Sequence, residues 1–299
     1  MAARRKKKGG AISTVVAIIV IIIAVVYSQF GGGTDPKRGT EVVEGTVEIY
    51  ILDVGQADCT VIRSESGNIL IDAGDTDTQE DIVDLILATG ITELEYAIFT
   101  HPDSDHIGGA DEVVNGIAIK NVILPALDES DVPTTKVYEK MIAAIEAKEE
   151  INVIAAEAGA EYTIGELKMK LLAPISDNYS NINDYSVSAR FDFGSTSFLF
   201  TGDALEKSEA EMLEKWPVSE LDCDFFQAGH HGAANANTPN FIKAVSPRIV
   251  AVSCGKDNKY GHPTNEALEA YASVGATVYR TDELGTIVFT SDGTTITKK

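Results

Sequence analysis

Cysteine is scarce in this 299-residue chain, and so is positive charge. Cys59, Cys223 and Cys254 are the only thiols, an odd number with no Cys-x-x-Cys pair. A Cys-x-x-Cys redox or zinc motif is therefore excluded, and the three read as small core residues. Cys254 closes an apolar strand just before a loop that contains His262. That places it near a candidate site but not among the ligands. Lys and Arg number 24 against 46 Asp and Glu, a formal net charge of -22. Five of those cations lie in residues 1–10, leaving 19 against the same 46 acids beyond them. So acidic a domain offers no long basic track on which a polynucleotide could release its counterions. Internal repeats are absent. Long apolar runs are absent with one exception, so the chain cannot form a membrane channel by itself.

The exception lies at the start. Arg4-Arg-Lys-Lys-Lys8 precedes the uncharged stretch Ala11 to Tyr27, which Phe30 extends. About 20 apolar residues span a bilayer. Basic residues on the N-terminal side hold that end in the cytoplasm and send the downstream chain outward. Tyr27-Ser-Gln-Phe30 offers no small-x-small cleavage site, so the segment is expected to stay as an anchor. The layout is then a basic cytoplasmic tip (1–10), a transmembrane helix (11–30), a Gly-rich linker (31–42) and a globular domain (43–299). The domain is expected on the outer face of the cell membrane.

Histidine is also rare, but its placement is ordered. His101, His106, His230, His231 and His262 are the five, and they occupy three loops. The densest loop is Tyr96-Ala-Ile-Phe-Thr-His-Pro-Asp-Ser-Asp-His-Ile-Gly-Gly109. Its apolar start reads as a buried strand, and His101, Asp103, Asp105 and His106 come directly after it. A strand fixes the backbone, so the loop leaving it can aim several side chains at one point. Imidazole nitrogen and carboxylate oxygen suit zinc or a harder divalent ion. Ser197-Phe-Leu-Phe200 is another apolar strand and delivers Asp203. Leu221 to Gln227 delivers His230, and Arg248 to Ser253 leads into the loop of His262. Strands that run alike bring such ends to one edge of a sheet. Earlier, Val47–Leu52, Cys59–Ile62 and Asn68–Ile71 read as strands, with Asp72 at the end of the third. Gln79–Thr89, Gly109–Asn115 and Lys136–Glu150 read as helices, and Tyr162–Leu172 as a hairpin.

Thr100-His-Pro-Asp-Ser-Asp-His-Ile-Gly-Gly109 resembles the signature loop of the metallo-β-lactamase superfamily, usually His-x-His-x-Asp-His. Asp103 stands where the second His is usual. That departure, with Asp53-Val-Gly-Gln-Ala-Asp58 and Ile71-Asp-Ala-Gly74, is similar to the ComEC-type competence-protein domain and its stand-alone relatives. The likeness runs from about Glu48 to Gly293. It implies a four-layer αββα sandwich and two divalent metal ions, Zn²⁺ or Mn²⁺. By this likeness His101 and Asp103 hold one ion, Asp105 and His106 the other, and Asp203 bridges them. Either His230 or His262 completes the second site, and the remaining one donates a proton or binds substrate. Asp72 orients the loop from behind by accepting a hydrogen bond. The superfamily usually supplies a further His before the bridging Asp. Here Asn181-Ile-Asn-Asp-Tyr-Ser186 stands instead, so Asn183 gives one site an oxygen-rich surround. His231 is expected to point away from its neighbour His230 and to sit behind the ligands. His230, Asp105 and Lys256 are the candidates for catalysis, Lys256 by binding a phosphate oxygen.

The function implied is a membrane-anchored, metal-dependent hydrolase of phosphodiesters, either small molecules or single-stranded DNA. Two alternatives remain. The same centre could act on a phosphocholine ester, a lactone or a β-lactam. Or the chain could be a binding protein whose metals are structural.

Overall fold

Period-two alternation builds the sheets of this protein. A computed structural model describes residues 42–128 and 130–299. The expected tip and anchor, and the linker up to residue 41, lie outside the described residues. Among the described residues no helix is long and apolar enough to cross a membrane. The first strands are β1 (Val47–Ile51), β2 (Thr60–Ser64), β3 (Gly67–Ile71), β4 (Glu93–Ile98), β5 (Ala118–Leu124) and β6 (Asn152–Ala155). Then come β7 (Glu161–Ile164), β8 (Leu167–Ala173), β9 (Ser188–Phe193), β10 (Thr196–Phe200), β11 (Phe225–Gln227), β12 (Ile249–Val252) and β13 (Thr277–Arg280). β14 (Ile287–Ser291) and β15 (Ile296–Lys298) close the chain. One sheet has the order β15-β14-β1-β2-β3-β4-β5-β6, the other β13-β12-β11-β10-β9-β8-β7.

Each sheet has two apolar faces. In β1, Val47, Ile49 and Ile51 join Phe289 of the neighbouring β14 in facing the other sheet, where the cluster includes Phe191, Phe200 and Phe225. The Phe225 ring sits 5.8 Å from Phe200 and 5.0 Å from Phe289. Truncating so central a ring to alanine costs about 3–5 kcal/mol. The outer face of the first sheet carries Leu70, Leu94 and Val122. It is covered by α1 (Ile82–Ala88), α2 (Ser104–Ile107), α3 (Ala110–Gly116) and α4 (Lys136–Glu146), through residues such as Ile86, Ile107, Val113 and Met141. On the far side α5 (Glu206–Lys215), α6 (Val218–Leu221), α7 (Pro239–Val245) and α8 (Asn265–Ser273) cover Leu199, Phe226 and Val250. Helices, sheet, sheet, helices: the layers are four, as an αββα sandwich requires.

Two sets of parallel strands place the site. β3, β4, β5 and β6 run alike in one sheet. β10, β11, β12 and β13 run alike in the other. The loops after β3, β4, β10, β11 and β12 carry Asp72, the His101–His106 string, Asp203, His230–His231 and His262. Elsewhere the chain departs from expectation in detail. The helix expected over 136–150 ends at Glu146. The C-terminal β14 returns to pair with β1, Val47 opposite Ser291. Its pairing spans nearly the whole domain, so no local pattern announces it.

Candidate metal centre

The site starts from Asp72, fully buried at the end of β3 with φ of 60°. Its Oδ1 accepts the backbone N–H of Thr100 at 2.7 Å, and its Oδ2 accepts the Thr100 hydroxyl at 2.8 Å. The same Oδ2 lies 2.7 Å from His106 Nδ1. A carboxylate on Nδ1 fixes that proton and leaves Nε2 free as a ligand. Close backbone packing makes this possible. A Cβ on Gly108 would lie 2.2 Å from backbone atoms of Asp75 and Thr76, so only glycine lets the two loops meet.

Asp203 enters from the second sheet. Gly202 holds φ of 52°, and a Cβ there would strike the Thr100 hydroxyl at 2.7 Å. The Asp203 N–H donates to Ser186 Oγ at 3.0 Å. Asp184 Oδ1 accepts the N–H groups of Leu205 and Ser208. The segment 181–186, which has no His, thus braces the Asp203 loop, with Asn183 buried within it. Asp203 Oδ1 reaches to 3.1 Å from His106 Nε2. Its Oδ2 is 3.9 Å from His101 Nε2 and 3.5 Å from His230 Nε2. His101 Nε2 is 3.7 Å from Asp103 Oδ2, whose side chain is 45% exposed.

His231 lies where it was not expected. An orientation away from the site assumes strand-like alternation. Both histidines instead take left-handed dihedrals, φ 50° at His230 and 55° at His231. His231 turns inward, buried, with Nε2 3.3 Å from Asp105 Oδ2. Ligand atoms of Asp105, His106, Asp203 and His231 all lie within 4.8 Å of one another. His230 faces the opening, and its Nδ1 is 3.1 Å from Asn235 Oδ1. The His262 ring lies 5.6 Å from His230 and 6.4 Å from His231, outside that group. Lys256 is exposed on the same loop as His262.

Sequence reasoning missed four supports, Asp58, Gln227, Asn237 and Glu209. Asp58 Oδ1 lies 3.3 Å from His231 Nδ1, which also contacts the Ser253 carbonyl oxygen at 3.0 Å. Asp58 Oδ2 accepts from Gln227 Nε2 at 2.8 Å, and Thr60 Oγ1 donates to Gln227 Oε1 at 2.7 Å. Asp58 thus sets a carboxylate behind His231 at ion-pair distance, while the hydrogen bond of His231 Nδ1 goes to the Ser253 carbonyl; at His106 the carboxylate of Asp72 makes that bond itself. The third support is Asn237. Its Oδ1 accepts from Gly229 N–H at 3.0 Å, and its Nδ2 donates to the Gly229 and Ala233 carbonyls at 2.8 and 3.3 Å. Glu209 in turn accepts the N–H groups of Asn237 and Thr238 at 2.6 and 3.0 Å. Left-handed non-glycine residues cost about 1–3 kcal/mol each and persist only where surroundings over-determine them. Asn237, gripping both sides of the His230–His231 pair, is that surrounding. The sequence signal available was the Asp-Val-Gly-Gln-Ala-Asp turn; nothing marked Asn237 or Glu209.

The electrostatics are those of a cation site filled by protons. Burial opposes charge on His106, but Asp203 and Asp72 outweigh it and hold its pKa well above the ordinary value. Burial likewise opposes charge on His231, and Asp203, Asp58 and Asp105 outweigh it. Burial would raise Asp105, yet His231 and His106 pull it down to about 2. Asp203 is driven well below the carboxylate range, its burial overcome by the same two imidazoles. Burial raises Glu209 to about 7 despite its backbone donors. His101 Nε2, His106 Nε2 and Asp203 Oδ1 are buried and lack hydrogen-bond partners. Such orphans are costly in a protein interior. A divalent ion taking N and O donors fits them.

Comparisons with known proteins agree with this geometry. Residues 52–167 match the family described as the metallo-beta-lactamase superfamily. ComE operon protein 3 of Bacillus subtilis (strain 168) is 27% identical over 261 residues, covering 81% of this chain and 33% of that protein. Competence protein ComA of Neisseria gonorrhoeae is 25% identical over 249 residues, covering 83% of this chain and 33% of that protein. The chain therefore spans about a third of the length of these curated relatives. Among solved structures, the metallo-beta-lactamase fold protein YhfI from Bacillus subtilis gives a TM-score of 0.55 at 12% identity, over 82% of this chain and 99% of that one. That likeness concerns the fold alone. The matched segment, the two-sheet sandwich and the buried Asp/His group together give the chain a metallo-β-lactamase fold with a candidate divalent-metal centre, and its sequence resembles the ComEC-type domain of competence proteins.

Proposed function

We propose that the centre hydrolyses phosphodiester bonds in small molecules or short single-stranded DNA, with two divalent ions, Zn²⁺ or Mn²⁺. The observation that carries the reading is the buried group Asp105, His106, Asp203 and His231, set beside the more open His101 and Asp103. Asp105, His106 and His231 would hold one ion, His101 and Asp103 the other, with Asp203 shared. Such ions supply a Lewis acid for a phosphoryl oxygen and a nucleophile from water at neutral pH. The protein's own groups do the rest. Asp72 holds the His106 imidazole in register from behind, and the Ser253 carbonyl with the Asp58 carboxylate does so for His231. His230 is partly exposed and oriented by Asn235, which suits it to hand a proton to the leaving group. Burial and then the neighbouring His230 and His231 push His262 down to about 4. It is therefore neutral at neutral pH and suits a hydrogen bond to substrate. The competence names of the relatives favour a DNA-related substrate. The acid excess favours a short one.

The Arg4–Lys8 cluster and the apolar stretch after it support a further part of the proposal, an anchor that keeps the domain outside the membrane. Protease added to intact cells should then remove the domain. Protection, with any outer envelope permeabilised, overturns that orientation. The test of activity is a metal-reconstituted panel of bis-p-nitrophenyl phosphate, single- and double-stranded DNA, a lactone and nitrocefin. Turnover of the phosphodiester and single-stranded DNA, abolished by chelator, is expected. Turnover of lactone or nitrocefin without any phosphodiester refutes the reading.

A further inference from the structure

Seven large apolar residues are well exposed among the described residues, and Tyr260 is the aromatic one, at 57%. It sits two positions before His262, and its ring stacks on that imidazole at 5.7 Å and 26°. His262 in turn lies 5.6 Å from His230, which lies 3.5 Å from the Asp203 carboxylate. An open aromatic face is thus connected ring to ring with the reaction centre. Lys259 places its ammonium 4.9 Å from the Tyr260 centroid, and Lys256 is exposed three residues earlier. In so acidic a chain, a lysine against a bare tyrosine with a second lysine on the same loop stands out, although Asp257 lies between the two lysines in sequence.

The loop is also tied down by hydrogen bonds. Asn258 Nδ2 donates to the carbonyls of Gly255 and His262, and its Oδ1 accepts the His262 N–H at 3.0 Å. Gly255 N–H donates to Gln56 Oε1 at 2.9 Å, and Thr264 N–H to the Gly232 carbonyl at 2.9 Å. The second bond ties the loop to the His230–His231 turn, so the tyrosine keeps its distance from the centre. Gly261, at φ 71° with open space around it, separates Tyr260 from His262.

We propose that Tyr260 is a stacking platform for one nucleobase, with Lys259 and Lys256 meeting the phosphate next to it, so that the site selects nucleotide-containing phosphodiesters. The assignment rests on the phosphodiesterase reading and narrows it. Aromatic faces paired with cations are the common device for holding single strands without reading their sequence. The exposed lysine–tyrosine contact is the weaker of the two interactions, so a base displaces the ammonium from the ring and frees it for a phosphate. One platform grips one unit. That agrees with a domain whose charge forbids a long track.

The test uses the full metal-loaded chain and two probes, a phosphorothioate trithymidylate and an abasic trimer with the same backbone. Affinities are measured for the natural protein, Tyr260→Phe and Tyr260→Ala, with thermal midpoints to show that all three fold alike. Tyr260→Ala should weaken trithymidylate about 10-fold or more, and Tyr260→Phe should restore it because the ring face remains. The abasic trimer should not distinguish the three. Equal losses for both probes, or none, would mean that Tyr260 only covers His262, and the platform is overturned. Bis-p-nitrophenyl phosphate turnover by the natural protein tests the hydrolytic reading separately. If turnover is absent while base-dependent binding persists, hydrolysis fails and the platform stands.

Discussion

The site has a closed side and an open side, and they are built on different rules. On the closed side His106 and His231 are buried, and each has a carboxylate behind its Nδ1, Asp72 or Asp58. On the open side Asp103 is nearly half exposed, and His230 is oriented by a neutral amide. A buried imidazole backed by a carboxylate is fixed in tautomer and direction, and is more basic. An exposed carboxylate keeps water as a competing partner. The difference predicts one tightly held ion and one that exchanges.

The largest effect should come from the residue that both sides share. Asp203→Asn keeps the shape and removes the charge. It should lower kcat by about 10²-fold or more while the protein stays folded. Bound metal, thermal midpoint and hydrolysis should be followed in one preparation. Unchanged metal and unchanged turnover would leave Asp203 as no more than a loop support.

Next in size are the carboxylates behind the ring nitrogens. Asp72→Asn or Asp58→Asn should each weaken the tight ion about 10–100-fold, as competition with a chelating dye would show. Asp103→Asn should instead weaken only the exchanging ion. A uniform loss of both ions in all three variants would erase the distinction between the sides.

A smaller change should come from Asn237→Ala. It strands the buried N–H of Gly229 and two carbonyls, at about 1–3 kcal/mol of stability. Because the left-handed turn relaxes, the tight ion should also weaken, whereas the exchanging ion keeps its affinity. Denaturant titration and metal stoichiometry together decide it. A stability loss with normal metal binding would mean that Asn237 stabilises the loop without aiming His231.

The smallest effect is that of pH on the metal-free protein. His106 and His231 have raised pKa values when folded. Their contribution is complete below the unfolded value of about 6.5 and is lost as pH rises through the folded values. Asp105 is lowered to about 2, so its contribution is present above about 3.8 and lost as pH falls toward 2. The metal-free midpoint should therefore peak between about pH 4 and 6.5 and decline on the alkaline side. Metal replaces those protons, so the loaded protein should lack that decline, and metal affinity should weaken as pH falls. A metal-free midpoint that climbs from pH 6.5 to 9 contradicts this.

The strands and the His101–His106 string were legible because periodicity and ligand spacing are local. Asp203 was legible for the same reason, at the end of an apolar run. The direction of His231 was not, because two histidines in left-handed dihedrals carry no mark such as glycine would give. Asp58 and Asn237 escaped for another reason. Their work is done through contacts distant in sequence, such as Asp58 with Gln227 and Asn237 with Glu209. A pattern within one stretch cannot register them.

Ligands for the centre come from both sheets, His101 to His106 from one and Asp203 with His231 from the other. Residues 52–167, the portion that matches the family, hold only the first half of that set. A fragment ending there would carry the signature loop and still be inert. Bound metal would also act as a clasp across one end of the sandwich. Releasing it should let that seam gape before either sheet unravels, so amide exchange on removing metal should quicken first at Thr100 and Asp203 and last at Phe225.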